Sequence, residues 1–237
     1  SQVSERGIIL HHGNVSNQGT RIWITKDGGL FPDSYVHFPL LGKRLSYELD
    51  LSAAPCSCNA ALYWVSMPGY DPQGRPVPGE KGNFYCDGNQ VWGNWCWEFD
   101  SIEANQHVMQ VTAHECSQPA GGFISKCDRA GARRNSYYVN PRGLCPEDTC
   151  LIDTRKPFRH EQSFVTDEAG TSLLRIENRL EQDGRVFAFN GTENGAYLAR
   201  MSAAMQKGMV LTFQMWGGNW LLMSWLDFPT CFGECPY

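Results

Sequence analysis

Apolar and polar residues alternate with period two along residues 20–25 and 45–51, which puts the apolar side chains on one face and predicts two half-buried strands. Residues 60–67 and 208–216 are denser in apolar side chains, as expected of central strands covered on both faces, and residues 221–226 read as another of that kind. One short helical turn is expected at 202–206, just before Gly208. Residues 68–82, with four prolines and four glycines, and the polar stretch 126–146 read as loops. No internal repeat or linker interrupts the chain, so one domain is expected over 1–237.

Composition sharpens this into an all-β expectation. Twenty-four glycines, 13 prolines, 12 Phe and 9 Tyr suit short strands joined by tight turns. A net charge of -5 gives no electrostatic reason to expect nucleic acid or an anionic membrane as partner. Ten cysteines are many for a reducing compartment, and they fall into short-range groups (56 and 58, 86 and 96, 116 and 127, 145 and 150, 231 and 235) that suit disulfides and export. Zinc fits less well, because Cys56-Ser57-Cys58 lacks the usual two-residue gap and Cys145 and Cys150 have no nearby His. Two sequons, Asn14-Val15-Ser16 and Asn190-Gly191-Thr192, are compatible with secretion. No apolar run approaches membrane-spanning length, and no charged-then-apolar leader opens the chain, the pattern of a mature secreted form.

The candidate chemistry is a carboxylate cluster, Glu98-Phe99-Asp100-Ser101-Ile102-Glu103, in a segment rich in tryptophan (Trp92, Trp95, Trp97). On a strand Glu98 and Asp100 share a face and Phe99 points into the layer behind. Glu103 joins them only if a bulge inserts one extra residue between 100 and 103. Three acids on one face could place a nucleophile and a proton donor about 5–5.5 Å apart, as a retaining glycosidase requires, and their repulsion would raise the pKa of the donor. The tryptophans suit stacking on pyranose rings. The same alternation would also suit an exposed polar face, and the same tryptophans a core.

These residues resemble glycoside hydrolase family 7, the fungal cellobiohydrolases and endoglucanases. The family pattern Glu-x-Asp-x-x-Glu-Ala-Asn is met by Glu98, Asp100, Glu103, Ala104 and Asn105, followed by Thr112-Ala113-His114-Glu115-Cys116. Residues 55–67, the Tyr85-Cys86-Asp87 turn and residues 208–227 match further family motifs in order, so the likeness spans roughly residues 18 to 230. The resemblance implies a concanavalin-like jelly-roll β-sandwich of two curved antiparallel sheets with a cleft. It implies Glu98 as nucleophile, Asp100 as its modulator, Glu103 as general acid/base and His114 near the leaving group, with Asn59, Tyr63, Tyr85, Asp87 and Trp225 lining sugar sites. It also implies disulfides Cys86–Cys96, Cys116–Cys127 and Cys56 with a C-terminal cysteine.

The departures bear on function. Family members are nearly twice as long, so a chain of this length should have an open cleft in place of a roofed tunnel. Ser101 and Ile102 stand where the family has Ile-Trp, Tyr137-Tyr138-Val139 stands where it has Tyr-Arg, and the product-site arginine has no counterpart near residues 231–235. The expectation is a secreted, monomeric, retaining endo-β-1,4-glycanase acting on cellulose or a β-glucan, with polysaccharide as partner. No cofactor and no catalytic metal are implied, although scattered Asp and Asn residues are compatible with an oxygen-lined calcium site. Two alternatives stand beside it. One is a lyase on uronic-acid chains, using Lys126, Arg129, Arg133, Arg134 and Arg142 to clamp carboxylates, with His114 and Tyr137 or Tyr138 carrying protons. The other is a non-catalytic glycan-binding protein on the same fold.

Overall fold

The computed structural model describes residues 2–4, 7–11, 21–79 and 81–236. The sequon at Asn14, the first residue of the 20–25 segment and the side chain of Trp92 lie outside the described residues.

Two sheets make the body of the protein. The larger uses β3 (Arg21–Trp23), β4 (His37–Phe38), β6 (Cys58–Val65), β7 (Glu98–Ala104), β8 (Met109–His114), β9 (Ala132–Asn135) and β15 (Met209–Gly217). Their order is β3-β15-β6-β7-β8-β9, with β4 pairing β15 beside β3. The smaller sheet runs β14-β13-β12-β5, from β5 (Arg44–Leu49), β12 (Phe158–Thr166), β13 (Leu173–Gln182) and β14 (Arg185–Asn190). All pairings within these two sheets are antiparallel. Two minor pairs complete the strands: β1 (Gln2–Ser4) with β2 (Gly7–Ile9), and the parallel β10 (Leu144–Cys145) with β11 (Ile152–Asp153). The helices are α1 (Ser136–Val139), α2 (Gly195–Lys207) and α3 (Trp220–Asp227).

The sheets pack through alternating inward residues, as period two requires. Trp64, Phe99 and Ile102 from the larger sheet meet Phe158, Phe164, Ile176 and Leu180 from the smaller one, and Phe99 and Phe164 make an edge-to-face pair at 5.4 Å. A second cluster, including Tyr35, Tyr63, Tyr85 and the Cys86–Cys96 disulfide, lies on the other face of the larger sheet, under the loop that joins β6 to β7. This is the jelly-roll β-sandwich expected from the sequence.

Several elements differ from the sequence expectations. Residues 221–226 are helical, within α3: Asn219 caps it by accepting the N–H of Leu222, and only one stripe, Met223 and Leu226, is fully buried among the apolar residues. A short apolar run does not distinguish strand from helix. The expected turn at 202–206 is the end of the 13-residue α2, capped by Asn194. The 126–146 stretch, read as loop, contains β9 and α1. Strands β12, β13 and β14 were not anticipated, although the Asp183-Gly184 pair, with φ of 49° and 77° between the paired Gln182 and Arg185, is a strong hairpin signal.

All ten cysteines are paired. Three short-range groups close on themselves (Cys86–Cys96, Cys116–Cys127, Cys145–Cys150), while the groups 56/58 and 231/235 pair with each other, as Cys56–Cys231, the C-terminal partner expected for Cys56, and Cys58–Cys235. These two bridges tie the start of β6 to the segment after α3. Asn190, the second sequon asparagine, is exposed at the end of the edge strand β14.

Candidate active site

Strand β7 carries the acids, and it is bulged. Opposite β8, Asp100 faces Thr112 and Glu103 faces Gln110, so Ser101 and Ile102 together oppose Val111 alone. Opposite β6, Asp100 pairs with Tyr63 and Ile102 with Leu62, which skips Ser101. In a regular strand Glu103 would point into the sandwich. The extra residue instead turns Ile102 into the core and brings Glu103 to the outer face with Glu98 and Asp100.

Each acid is held by a different donor. The N–H of Gly88 donates to Glu98 Oε2 at 2.8 Å. A Cβ at residue 88 would fall 2.6 Å from His114 Cβ, so only glycine lets the backbone come this close. Asp100 Oδ2 lies 3.1 Å from His114 Nε2, and His114 Nδ1–H donates to the Asp128 carbonyl at 2.8 Å. The turn carrying Asp128 folds over the imidazole by way of Gly131, whose φ of +65° and closeness to the His114 ring exclude a side chain. Glu103 Oε1 accepts from Asn59 Nδ2 at 3.1 Å, and Asn59 Oδ1 accepts the N–H of Ala104.

Burial and mutual repulsion govern protonation here. Burial, then the charge of Asp100, push Glu103 up to about 8. Burial also pushes Glu98 well above the usual carboxylate range, reinforced by Asp100 and Asp87, while His114 and the Gly88 N–H act the other way. Burial would lower His114, but its hydrogen bond to Asp100 and the charges of Asp100 and Glu98 prevail and push it up to about 10. Chemically the cluster can keep a proton on one carboxyl at neutral pH while an Asp100–imidazolium pair offsets charge beside it. Glu98, Asp100 and His114 offer ligand atoms within 4.8 Å of one another, a spacing a divalent cation could use. Both His114 nitrogens are already engaged in hydrogen bonds, so a metal would have to displace the Asp100 contact.

The acids floor two adjoining cavities. The smaller, about 170 Å³, is walled by Arg21, Tyr63, Tyr85, Asp87 and Gln214; the larger, about 390 Å³, by Gln110, Thr112, His114, Arg129, Arg133 and Trp225. Trp216 borders both and stacks on Trp225 at 6.1 Å. A roomier depression of about 740 Å³ adjoins the larger one through Arg129 and Ala130.

Of the expected sugar-lining residues, Tyr63, Tyr85 and Asp87 border the smaller cavity and Trp225 the larger. Asn59 borders neither; wholly buried, it serves Glu103 from behind. Trp97 is a core residue, because it precedes Glu98 by one and so takes the opposite face; its indole donates to the Gln118 carbonyl. Trp95 lies under the Arg129 guanidinium. The basic stretch is scattered. Arg129 and Arg133 reach the groove, whereas Arg134 pairs with Glu193 and Arg142 with Glu147.

Sequence reasoning missed Trp216, Gln214, Gln110, Thr112 and Arg21 as groove residues. The signal was present in β15, where Thr212, Gln214 and Trp216 recur at period two inside an apolar run. In β8, Gln110, Thr112 and His114 repeat in the same way. Arg21 donates to Tyr63 Oη at 2.9 Å and lies 4.1 Å from the centre of the Tyr85 ring, joining the β3 edge to the site.

Comparison with known proteins places these features in context. A profile for Glycosyl hydrolase family 7 matches residues 6–89. Endoglucanase EG-1 of Trichoderma longibrachiatum is 32% identical over 245 residues, covering 91% of this chain and 50% of that protein. A probable endo-beta-1,4-glucanase of Aspergillus clavatus is 27% identical, covering 94% and 63%. The chain thus spans about half the length of the first of these relatives. Among solved structures, an endoglucanase I complexed with cellobiose superposes with a TM-score of 0.70 at 24% identity, over 85% of this chain and 63% of that one. The native endocellulase EGI of Humicola insolens gives 0.69 at 23% identity, over 92% and 69%.

Proposed function

The chain is a partial, distant member of glycosyl hydrolase family 7, and on that premise we propose that it is a retaining endo-β-1,4-glycanase acting on a cellulose- or β-glucan-like polysaccharide in an open groove. The observation that carries this reading is the bulge in β7, which turns three acids to one face of the groove beside Trp216 and Trp225. Its relatives named as endoglucanases support the substrate class. Five disulfides suit an extracellular enzyme, and no helix among the described residues is long and apolar enough to cross a membrane.

In this reading Glu98 attacks the anomeric carbon while Glu103 gives its proton to the departing glycosidic oxygen, leaving a covalent glycosyl-enzyme. Glu103 then takes a proton from water as that water displaces Glu98 with a second inversion. The donors around the acids fit these roles. Glu98 receives a backbone N–H and has His114 beside it, both of which favour its ionised form against burial, while Glu103 receives one side-chain amide and keeps its proton to about pH 8. Asp100, paired with His114, limits the negative charge that Glu98 must face. Tyr63, Tyr85, Asp87 and Trp225 would contact sugar in the two cavities.

The scattering of the basic residues gives the lyase reading less support than the acid cluster gives hydrolysis. The test is product analysis on neutral and uronic polysaccharides, with Glu98→Gln and Glu103→Gln beside the wild type. New reducing ends of retained configuration, lost in both variants, are expected. Unsaturated ends would mean elimination, binding without product would mean a glycan-binding protein, and full activity in both variants would reject the assignment of the site.

A further inference from the structure

The bulge that brings Glu103 to the groove is gripped from the opposite sheet. Ser101, its inserted residue, points inward and is wholly buried. Its hydroxyl accepts from Trp64 Nε1 at 2.8 Å and donates to Gln162 Oε1 at 2.6 Å. Gln162 Nε2 returns a bond to the Ser101 carbonyl at 3.2 Å and donates to Asn178 Oδ1 at 2.8 Å. Asn178 Oδ1 also accepts from His160 Nε2, which leaves His160 Nδ1 to accept from the Tyr47 hydroxyl at 2.8 Å. That arrangement needs a neutral imidazole, and burial lowers His160 to about 4.

The inner face of β12 therefore breaks its apolar pattern twice, at His160 and Gln162, between Phe158 and Phe164. Buried polar side chains are costly unless fully paired, and a paired chain of them fixes geometry more sharply than apolar packing does. A bulge needs such fixing. Slipping the inserted residue back into register would turn Glu103 toward the core.

We propose that Gln162 is a positioning residue: by holding both the hydroxyl and the carbonyl of Ser101, it locks the bulge that sets Glu103 on the face shared with Glu98 and Asp100. The catalytic part of this inference rests on the glycanase reading; the geometric part does not. The side-chain hydrogen bonds of Gln162 go to Ser101 and Asn178, so it acts on Glu103 through Ser101.

The test compares Gln162→Met, which keeps the volume and removes the bonds, with Ser101→Thr, which keeps the hydroxyl, and with Ile176→Val, which trims the same intersheet core without removing a hydrogen-bonding group. The measurements are kcat and KM on a soluble β-1,4-glucan, the pH dependence of kcat/KM, Tm, and the titration of the Glu103 carboxyl followed by NMR without substrate. Gln162→Met is expected to lower kcat about 10- to 100-fold with KM within about twofold, as misplacement of a reacting group by roughly an ångström does, and to move the Glu103 titration. Ser101→Thr should keep most of kcat, and Ile176→Val should lower Tm alone. An unchanged kcat and Glu103 titration in Gln162→Met, with Tm falling as in Ile176→Val, would overturn the proposal. If Gln162→Met does not fold, Ser101→Ala, a smaller lesion to the same bonds, takes its place with the same two outcomes. A wild-type protein that hydrolyses no glucan would sink the glycanase reading, while the titration would still decide whether Gln162 holds Glu103.

Discussion

His114 Nε2 lies 3.1 Å from Asp100 Oδ2, between strands whose residues 98 and 114 are direct partners, so the imidazole hangs over the middle acid of the cluster. Its other nitrogen is fixed by the Asp128 carbonyl, and Asp128 Oδ2 in turn accepts from Tyr197 on α2. The ring is therefore set by elements outside the sheet as well as within it. Replacing His114 by Asn should leave Asp100 without its cationic partner and make ionisation of Glu98 harder. We expect kcat to fall about 10- to 100-fold, within the range typical of a lost acid–base or charge-stabilising group, with KM little changed in steady-state assays.

The proton on Glu103 predicts a pH dependence of both rate and stability. Its folded pKa, about 8, is above the ordinary carboxyl value of 4.5, so between those values the folded state holds a proton that the unfolded chain has released. Stability from this group is present at low pH and is lost as pH rises from about 4.5 through about 8. His114 adds a loss in the same direction, as pH rises from about 6.5 through about 10. Urea unfolding at a series of pH values should show this decline, and Glu103→Gln should flatten the part below pH 8. In the same region kcat/KM should fall as the proton donor is lost.

Gly88→Ala tests a close backbone approach beside Glu98 and His114. The new Cβ would meet His114 Cβ at 2.6 Å and Glu98 Oε2 at 3.0 Å. We expect a loss of about 1–3 kcal/mol, the usual range for overpacking, and a fall in kcat larger than that in Gly122→Ala, where a Cβ meets nothing within 4 Å. Thermal unfolding and steady-state kinetics on both variants would check this.

Trp216 borders both cavities and stacks on Trp225, so its loss should be felt in binding before chemistry. Trp216→Ala, in a Glu98→Gln background used to suppress turnover, is expected to weaken binding of a β-1,4-oligosaccharide by about 1–3 kcal/mol, on the scale of a buried aromatic contact. Calorimetric titration would measure it, and unchanged affinity would remove Trp216 from the sugar path.

Removing the Cys58–Cys235 bridge while Cys56–Cys231 remains should cost about 2 kcal/mol, the low end of the usual range, because the surviving bridge already closes nearly the same span. The paired variant Cys58→Ala/Cys235→Ala, compared with the wild type in denaturant unfolding, gives the value. Loss of this bridge leaves the segment after α3 tied to the start of β6 by Cys56–Cys231 alone and removes the cross-link two residues before Ala60, the partner of Ala104 on β7.

Much of this protein is legible in its linear order. Composition and alternation indicate an all-β chain, the spacing 98, 100, 103 demands a bulge if the acids are to act together, and Cys86–Cys96 and Cys116–Cys127 lie close enough in sequence to close on themselves. These are local properties, fixed by the geometry of one strand or one loop. The helix at 220–227 was not legible, because its apolar run suits either structure until tertiary packing chooses the Met223 and Leu226 stripe.

What only the folded chain decides lies between segments distant in sequence. Cys56 and Cys58 form one short-range group in sequence, and only the fold decides that Cys56 meets Cys231 and Cys58 meets Cys235. Trp97 and Trp216 look alike in sequence, yet one faces the core and the other the groove, by strand phase. Gln162 reads as an ordinary polar residue on a strand until the second sheet stacks it under Ser101. Period-two alternation specifies which face a side chain takes, but the identity of what it meets there depends on sheet packing, and that is set by the whole chain.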